Sequence, residues 1–362
     1  TASEISFYPG FTSGFQSFGP LYSTNGPAPN TPAGNTGDDP SIRFRDFYKD
    51  FFRTGTTYQN NISLSGAKDK MNYYFSASSS KEEGIVPNTN YGRKTFKINA
   101  NYDVTDNFTI GSSVSYTNSG GRRPNSGDKS IMSALSYWSP SIDVNDYIRA
   151  DGRQKNFTVG TADNPRYLAE VSNLSDNVDR WIASVNSTWK INNWIKVTYN
   201  GSIDNYSDSR NRFAPPDLDV ATQVKGFVIN ERIRFTGLNS NLLVTFDKRI
   251  NDDLNNSLTI GNQVDDTETG YDMIRGEGLN VFNFNNIGNT TNLYQKNTVT
   301  KQRVVGVFGD YKLEYKDKLF LSITGRNDWT STLPKANRSF FYPSVGLSYL
   351  FTDLIDKNKS TF

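Results

Sequence analysis

Apolar and polar residues alternate along much of the chain from Tyr58 onward. In the first such segment Tyr58, Ile62 and Leu64 are apolar, whereas Asn61 and Ser63, at intervening positions, are polar. Successive side chains of a β-strand point to opposite faces, so this period of two predicts a strand with one apolar and one polar face.

The same pattern recurs in about eleven segments, most of them long enough for the roughly 9–11 residues with which a tilted strand crosses a bilayer. The segments after the one at Tyr58 begin near Met71, Phe96, Phe108, Trp181, Ile195, Leu242, Leu258, Val305, Leu319 and Val345.

Short and long connections alternate between these segments. The short turns lie near residues 68–70, 103–106, 192–193, 251–253 and 316–318. The long polar loops lie near residues 80–92, 118–178, 207–229, 265–297 and 329–340. A meander through a membrane produces this order when all turns on one side are tight and all loops on the other are long.

The composition excludes several classes of function. The 362 residues include no His and no Cys, so the chain cannot form a Ser-His-Asp or Cys-His relay or an ordinary zinc or haem site. No apolar run approaches the roughly 20 residues of a membrane-spanning helix. The net charge of +2, without a basic cluster interleaved with aromatic residues, argues against nucleic acid as a partner.

These patterns predict an all-β fold, an antiparallel transmembrane β-barrel, with a soluble β-sandwich as the alternative. We expect residues 1–57 to form an irregular connection that enters the barrel. Residues 58–351 would form the transmembrane strands with long extracellular loops, and residues 352–362 a turn and tail.

Short motifs in order along residues 46–351 resemble the SusC/RagA family of TonB-dependent outer-membrane transporters of the Bacteroidetes. The motifs are Phe52-Arg53-Thr54-Gly55, Ser63-Leu64-Ser65-Gly66, Glu83-Gly84-Ile85, Ala134-Leu135, Asp151-Gly152, Asn164-Pro165 and Phe341-Tyr342-Pro343.

The resemblance implies a bacterial outer-membrane barrel of 22 strands, closed by a plug, that imports oligosaccharides or peptides. It also implies a SusD-like surface lipoprotein as a lid and energy from the TonB–ExbB–ExbD complex, which acts through the plug. No plug is recognisable in this sequence and eleven is an odd number of strands, so we expect an internal portion of a longer chain. A passive porin and a secreted β-sandwich adhesin or carbohydrate-binding protein are the alternatives.

Tyr137 and Trp138, in the longest loop, are candidate ligand contacts because flat rings stack on sugars or peptides, although such rings more often anchor a loop by packing. The segment from Ser130 to Tyr137 is a candidate short helix. Trp329, at the head of another long loop, is a similar candidate.

Arg122 and Arg123 are candidate contacts for an anionic ligand, with ordinary rim arginines as the alternative. Asp265, Asp266 and Glu268 lack the spacing of a calcium loop, so we expect no metal site, no cofactor and no catalytic residues. The chain is therefore not expected to be an enzyme.

Overall fold

The computed structural model describes residues 46–138, 143–155 and 163–351. In these residues, eleven strands form one antiparallel sheet in chain order, each strand hydrogen-bonded to its sequence neighbours. The strands are β1 (Thr56–Lys68), β2 (Met71–Glu83), β3 (Asn90–Thr105), β4 (Phe108–Arg122), β5 (Asn173–Lys190), β6 (Ile195–Ala214), β7 (Phe227–Asn251), β8 (Leu254–Leu279), β9 (Thr290–Tyr315), β10 (Leu319–Thr330) and β11 (Ser339–Tyr349).

The predicted eleven antiparallel strands are thus confirmed. A single continuous sheet differs from the two packed sheets of a sandwich, so the sandwich alternative is wrong. The predicted division at residues 57 and 351 stays a prediction, because residues 1–45 and 352–362 lie outside the described residues.

In the part of the chain that the structure describes, three short α-helices lie outside the sheet: α1 (Phe47–Phe51), α2 (Ile131–Ser136) and α3 (Pro165–Val171). Two single-turn 3-10 helices, Ile287–Asn289 and Lys335–Asn337, lie in the β8–β9 and β10–β11 connections. The α2 helix confirms the predicted one, with Ser130 as its N-cap. Among the described residues, no helix is both long enough and apolar enough to span a membrane.

The pairing register places apolar side chains in rows on one face of the sheet. One row crosses seven strands and is apolar throughout: Leu64, Phe75, Ile98, Val114, Ala183, Ile203 and Leu238. Leu64 and Ile98 are 61% and 56% exposed, so no part of the described chain covers them. We call this side of the sheet the apolar face.

One residue along each strand, the neighbouring row is polar and lies on the opposite face, here called the polar face. Its members are Ser65, Tyr74, Asn99, Ser113, Ser184, Ser202, Asn239 and Asp265. Continuous pairing keeps the two faces separate, because a slip of one residue would exchange every side chain between them.

The five short turns fall where the sequence predicts them, and residues that tolerate positive φ occupy two of them. Asp69 has φ 51° between β1 and β2, and Asp317 has φ 53° between β9 and β10. Asp accepts this left-handed conformation more readily than most residues, and the mirror-image hairpin turns require it.

Two of the predicted long loops are shorter than predicted, because strands extend into them. β7, β8 and β9 contain 25, 26 and 26 residues, and only 215–226 and 280–289 remain as connections where loops near 207–229 and 265–297 are predicted. A strand of 26 residues is about 85 Å long, whereas the apolar band of a membrane barrel is about 25 Å tall. The strands therefore continue well beyond the height that needs an apolar face.

β1 begins on the side of the long loops and runs toward the tight turn at Asp69, because Thr56 pairs with Glu83 and Lys68 pairs with Met71. The α1 helix, which precedes β1, consequently lies among the long loops.

Candidate functional site

The long loops fold together into a small hydrophobic core, here called the loop core. It joins α1, the β4–β5 connection, the β6–β7 connection and the adjoining ends of β6 and β7. Its buried members are Phe51, Ile131, Leu135, Trp138, Val144, Tyr167, Leu168, Ala169, Ala214, Leu218, Ala221, Phe227 and Ile229.

The loop core lies over the polar face of the sheet. Phe227 and Ile229 belong to it, and they share one face of β7 with Asn239 and Asn241, because the β7 pairing is continuous over these residues. The loops therefore fold inward over the polar side of the wall.

A buried polar network connects the β4–β5 and β6–β7 connections inside the loop core. The Gln154 backbone N–H donates to Asp217 Oδ2 at 2.9 Å, and its side-chain Nε2 donates to Asp163 Oδ1 at 2.9 Å. The Gln154 Oε1 accepts from the Asn164 backbone N–H at 2.9 Å, and Tyr167 Oη donates to Asp217 Oδ1 at 3.1 Å. One glutamine side chain thus satisfies two groups of its own loop while its backbone binds the other loop.

Burial raises the pKa of Asp163, although the hydrogen bonds from Gln154 and from the Asp219 backbone N–H favour its charged form. Burial, and then the charge of Asp217, raise the pKa of Tyr167, so its hydroxyl stays a proton donor. The network is consequently structural. It holds the two connections together through hydrogen bonds whose donors and acceptors are fixed.

A second polar chain crosses β7, β8 and β10 on the polar face. Asn239 Nδ2 donates to Asp265, Gln263 Nε2 donates to Asp265 Oδ2 at 2.7 Å, and Arg326 Nη2 donates to Gln263 Oε1 at 3.0 Å. Arg326 also pairs with Asp328 at 2.8 Å. Below the loop core, the polar face thus carries amide and charged groups that are already hydrogen-bonded or ion-paired to each other.

Arg122 binds the last turn of α3. Its Nη2 donates to the carbonyl oxygens of Ala169, Glu170 and Ser172, at 3.4 Å for Ala169 and 2.9 Å for Glu170. Cations at helix C-termini satisfy carbonyls that lack helical partners. This position favours a structural role, and a contact of Arg122 with an anionic ligand stays a prediction.

Arg123 forms a two-pronged ion pair with Asp176 of β5, at 2.7 and 3.0 Å. Its guanidinium also lies 5.8 Å from the centroid of the Tyr91 ring. Both predicted arginines therefore have protein partners.

Tyr137 and Trp138 follow α2 directly but differ in environment. Trp138 is 5% exposed and packs in the loop core, whereas Tyr137 is 43% exposed. The position of Trp138 favours the packing alternative, and Tyr137 is the ring of this pair that a ligand could reach. Ser139 and Pro140, which follow, lie outside the described residues.

Trp329 lies within β10, two residues from Asn327, and its register partners are Val305 and Ser339. It is on the apolar face with Ile323, about 33 Å along the strand from Leu319, at the start of β10. A strand tilt of roughly 40° reduces this to about 25 Å of height. An aromatic ring at that height is expected in the outer interfacial girdle of a barrel. This position favours a contact with the membrane interface over a contact with ligand.

The carboxylates of Asp265, Asp266 and Glu268 do not form one site. Asp265 binds Asn239 and Gln263 on the polar face, whereas Asp266 pairs with Arg303 and Glu268 with Lys301 on the other face.

A cavity of about 20 Å³ lies beside α2, lined by Lys129, Ser130, Tyr137 and Asp163 among others. It has room for about one water molecule. This cavity is therefore too small for a sugar ring or a peptide.

Sequence reasoning missed the structural roles of Gln154, Asp163 and Tyr167. Only the pair Asn164-Pro165 carried a local signal. Asn164 caps α3, its side chain accepting from the N–H groups of Arg166 and Tyr167, and Pro165 occupies the first turn.

A comparison of the sequence with models of protein families assigns this sheet to a known family. The family model described as TonB dependent receptor-like, beta-barrel, matches residues 130–356. The chain belongs to this family. Its members are outer-membrane receptors and transporters rather than enzymes, which confirms the expected location and class.

Two receptors of Formosa agariphila are similar to the chain. TonB-dependent receptor P3 is 24% identical over 328 residues, and TonB-dependent receptor P26 is 22% identical over 334 residues. Each alignment covers 84% of this chain and 31% of the relative, so the chain spans about a third of the length of these relatives.

Solved structures share the fold. The RagAB peptide transporter matches with a TM-score of 0.67 at 17% identity, over 86% of this chain and 36% of that chain. The RagAB peptide importer in its open-open state gives 0.69 at 17% identity, over 87% and 36%. The unliganded ferric citrate transporter FecA gives 0.52 at 10% identity, over 83% and 40%. These likenesses confirm the TonB-dependent barrel fold that the sequence motifs predict.

Proposed function

We propose that this chain forms part of the barrel of an active outer-membrane importer, which takes up oligosaccharides or peptides. In the whole protein, a plug outside this chain would connect the pore to TonB–ExbB–ExbD, and a SusD-like lipoprotein would close over the loops. The RagAB complex is described as a peptide importer, and its fold match supports this class of function.

The observation that carries the proposal is the position of the loop core. Its hydrophobic centre and the network from Gln154 to Asp217 fix two long extracellular connections over the polar side of the wall. Loops that are fixed over the pore suit the capture of a solute before transport, whereas free diffusion needs a pore entrance that stays open. The polar face below the loop core has few apolar side chains, which suits the passage of a hydrophilic solute.

The proposal is tested by uptake into cells that carry the full-length gene. Cells are given a fluorescent tryptic peptide pool or fluorescent oligosaccharides from hydrolysed polysaccharide, with and without a protonophore and in a strain lacking TonB. Active import predicts accumulation that stops without TonB and without the proton gradient. Uptake of the same solutes that persists in both conditions would instead establish the passive porin, and a lack of uptake of either class would contradict the substrate assignment.

A further inference from the structure

The upper part of β9 has a free edge. β9 pairs with β8 along nearly its whole length, from Thr290 to Tyr315, but pairs with β10 only from Val304 to Tyr315. No other described strand pairs with residues 290–303. At the lower end of this edge, the Ser331 backbone N–H donates to the Arg303 carbonyl at 2.8 Å and closes the β10 ladder.

Connectivity produces the free edge. β10 ends at Thr330, and residues 331–338 lead back down into β11 at Ser339. The next strand beside β9 therefore stops while β9 continues for fourteen residues, about 45 Å of strand. The sheet is therefore lower on the β10 side of β9 than on the β8 side. We call residues 290–303 and 331–338 together the notch.

The notch is basic and contains no acidic residue in its own sequence. Its basic residues are Lys296, Lys301, Arg303, Lys335 and Arg338, and every residue from 291 to 303 and from 331 to 338 is exposed.

The charge of the notch is only partly neutralised. Lys301 and Arg303 pair with Glu268 and Asp266 of β8. Among the described residues, none forms an ion pair with Lys296 or with the two basic residues of the lower loop, Lys335 and Arg338.

We propose that the notch docks an extended, acidic segment of a partner protein, which adds to β9 as a further strand. An exposed edge offers unpaired backbone N–H and C=O groups, and strand addition is the recurring way in which such an edge binds a peptide. The surrounding positive charge selects acidic side chains on the added strand.

The same charge disfavours a second copy of this chain as the occupant. Pairing β9 with β9 would bring two copies of Lys296, Lys301 and Arg303 to one interface, and the repulsion of like charges opposes such pairing. An anionic glycan would satisfy the charges but would leave the backbone ladder unused. Docking at the notch lies outside the pore and does not depend on which solute is imported.

The test uses the purified full-length transporter in detergent and a fluorescein-labelled peptide of alternating Thr and Glu, long enough to span residues 290–303. A second peptide has the same number of Glu residues but Pro at every third position, so it has the charge and cannot form a ladder. Fluorescence anisotropy is expected to show at least about tenfold tighter binding of the first peptide.

Two transporter variants locate the binding. The double variant Lys296→Glu with Lys335→Glu is expected to weaken binding of the alternating peptide by at least about tenfold. Lys94→Glu, an exposed residue of β3 far from the notch in the strand order, is expected to leave it unchanged. Heat-modified migration on gels verifies that each variant is folded.

Cross-linking gives a second readout. This chain has no Cys, so Thr298→Cys provides its only thiol, on the free edge, and a Cys-bearing alternating peptide should capture it. The full-length transporter without the substitution is the control and should not be cross-linked at this edge. Two results would overturn the proposal: equal affinity for the two peptides, or binding that the double variant does not weaken. Equal affinity together with complete displacement by dextran sulfate would identify a site that recognises only the charge of polyanions.

Discussion

The side chains of Gln154 and Asp163 meet inside the loop core, where Gln154 Nε2 donates to Asp163 Oδ1 at 2.9 Å. Both residues are buried, at 8% and 5% exposure. The same glutamine binds Asn164 and Asp217, so one side chain and its backbone N–H hold together two loops separated by more than fifty residues.

Removal of this glutamine should therefore loosen the loops without affecting the barrel. Gln154→Ala leaves the buried N–H of Asn164 without its acceptor, at a cost of about 1–3 kcal/mol. It also removes one donor from Asp163, which keeps the Asp219 backbone N–H. We expect faster hydrogen exchange in residues 143–155 and 163–171 and unchanged exchange in β1–β4. Gln223→Ala, an exposed glutamine of the β6–β7 connection, is the matched control. Equal exchange in both variants would show that the hydrogen bonds of Gln154 are not needed to hold the two loops together.

The stability of the loop core should depend on pH through Asp163. Burial raises the pKa of this carboxyl above its ordinary value of 3.8, so the folded loops bind the proton more tightly than the opened loops. The free energy of opening should then fall as pH rises from 3.8 through the raised pKa. Asp163→Asn keeps an acceptor oxygen and should abolish this dependence. Hydrogen exchange of α3 across that range measures it, and an identical slope in the variant would assign the dependence to another group.

Arg122 and Arg123 should differ in how much they contribute to the stability of the folded loops. Arg122→Gln removes the charged donor to the α3 carbonyls, which should destabilise α3 by about 1.5–3 kcal/mol, whereas the exposed pair of Arg123 is expected to contribute under about 1 kcal/mol. Protease cleavage within residues 163–171 should be faster in Arg122→Gln than in Arg123→Gln. If both variants keep their loops intact and lose solute uptake, the arginines contact ligand instead.

Trp329 should stabilise the barrel in the membrane. Trp329→Ala removes an aromatic ring from the apolar face, at a cost of roughly 1.5–3 kcal/mol by lost apolar contact, and Trp329→Phe should restore most of it. Urea unfolding of the full-length protein in lipid vesicles reports the difference. An alanine variant with unchanged stability and impaired uptake would place Trp329 at the ligand.

A positive charge should destabilise the barrel when it is placed on the apolar face of β1 but not when it is placed on the polar face. Leu64→Lys places an ammonium on the apolar face at membrane depth, which costs about 2–4 kcal/mol near the midplane. Ser63→Lys, one residue away, places the same charge on the polar face and should be tolerated. The yield of heat-modifiable protein in the outer membrane compares the two, and similar yields would contradict the assignment of the faces.

The sequence predicts the strands well where the membrane constrains both faces. Rows such as Leu64 with Phe75 need apolar residues at every second position, so the period of two marks each strand and the tight turns mark their ends. Above the membrane neither face contacts lipid, so the alternation stops although backbone pairing continues. The upper halves of β7, β8 and β9 therefore look like loops in the sequence.

The candidate site was less predictable. Trp138 and Tyr137 are adjacent aromatic residues in a polar loop, and only packing against Leu135 and Leu168 separates a buried anchor from an exposed ring. Asp217, the partner of Gln154 in the other loop, lies beyond two further strands, and no local pattern relates the two residues.

The sequence by itself determined that the chain forms a meander of amphipathic strands, because alternation is a local consequence of backbone geometry and of two contrasting solvents. The tertiary structure alone decided which strands rise above the membrane, which loops join in one core and where an edge is left open. Those features depend on contacts between residues far apart in the chain, such as Gln154 with Asp217, whose free energy appears only when the folded sheet brings them together.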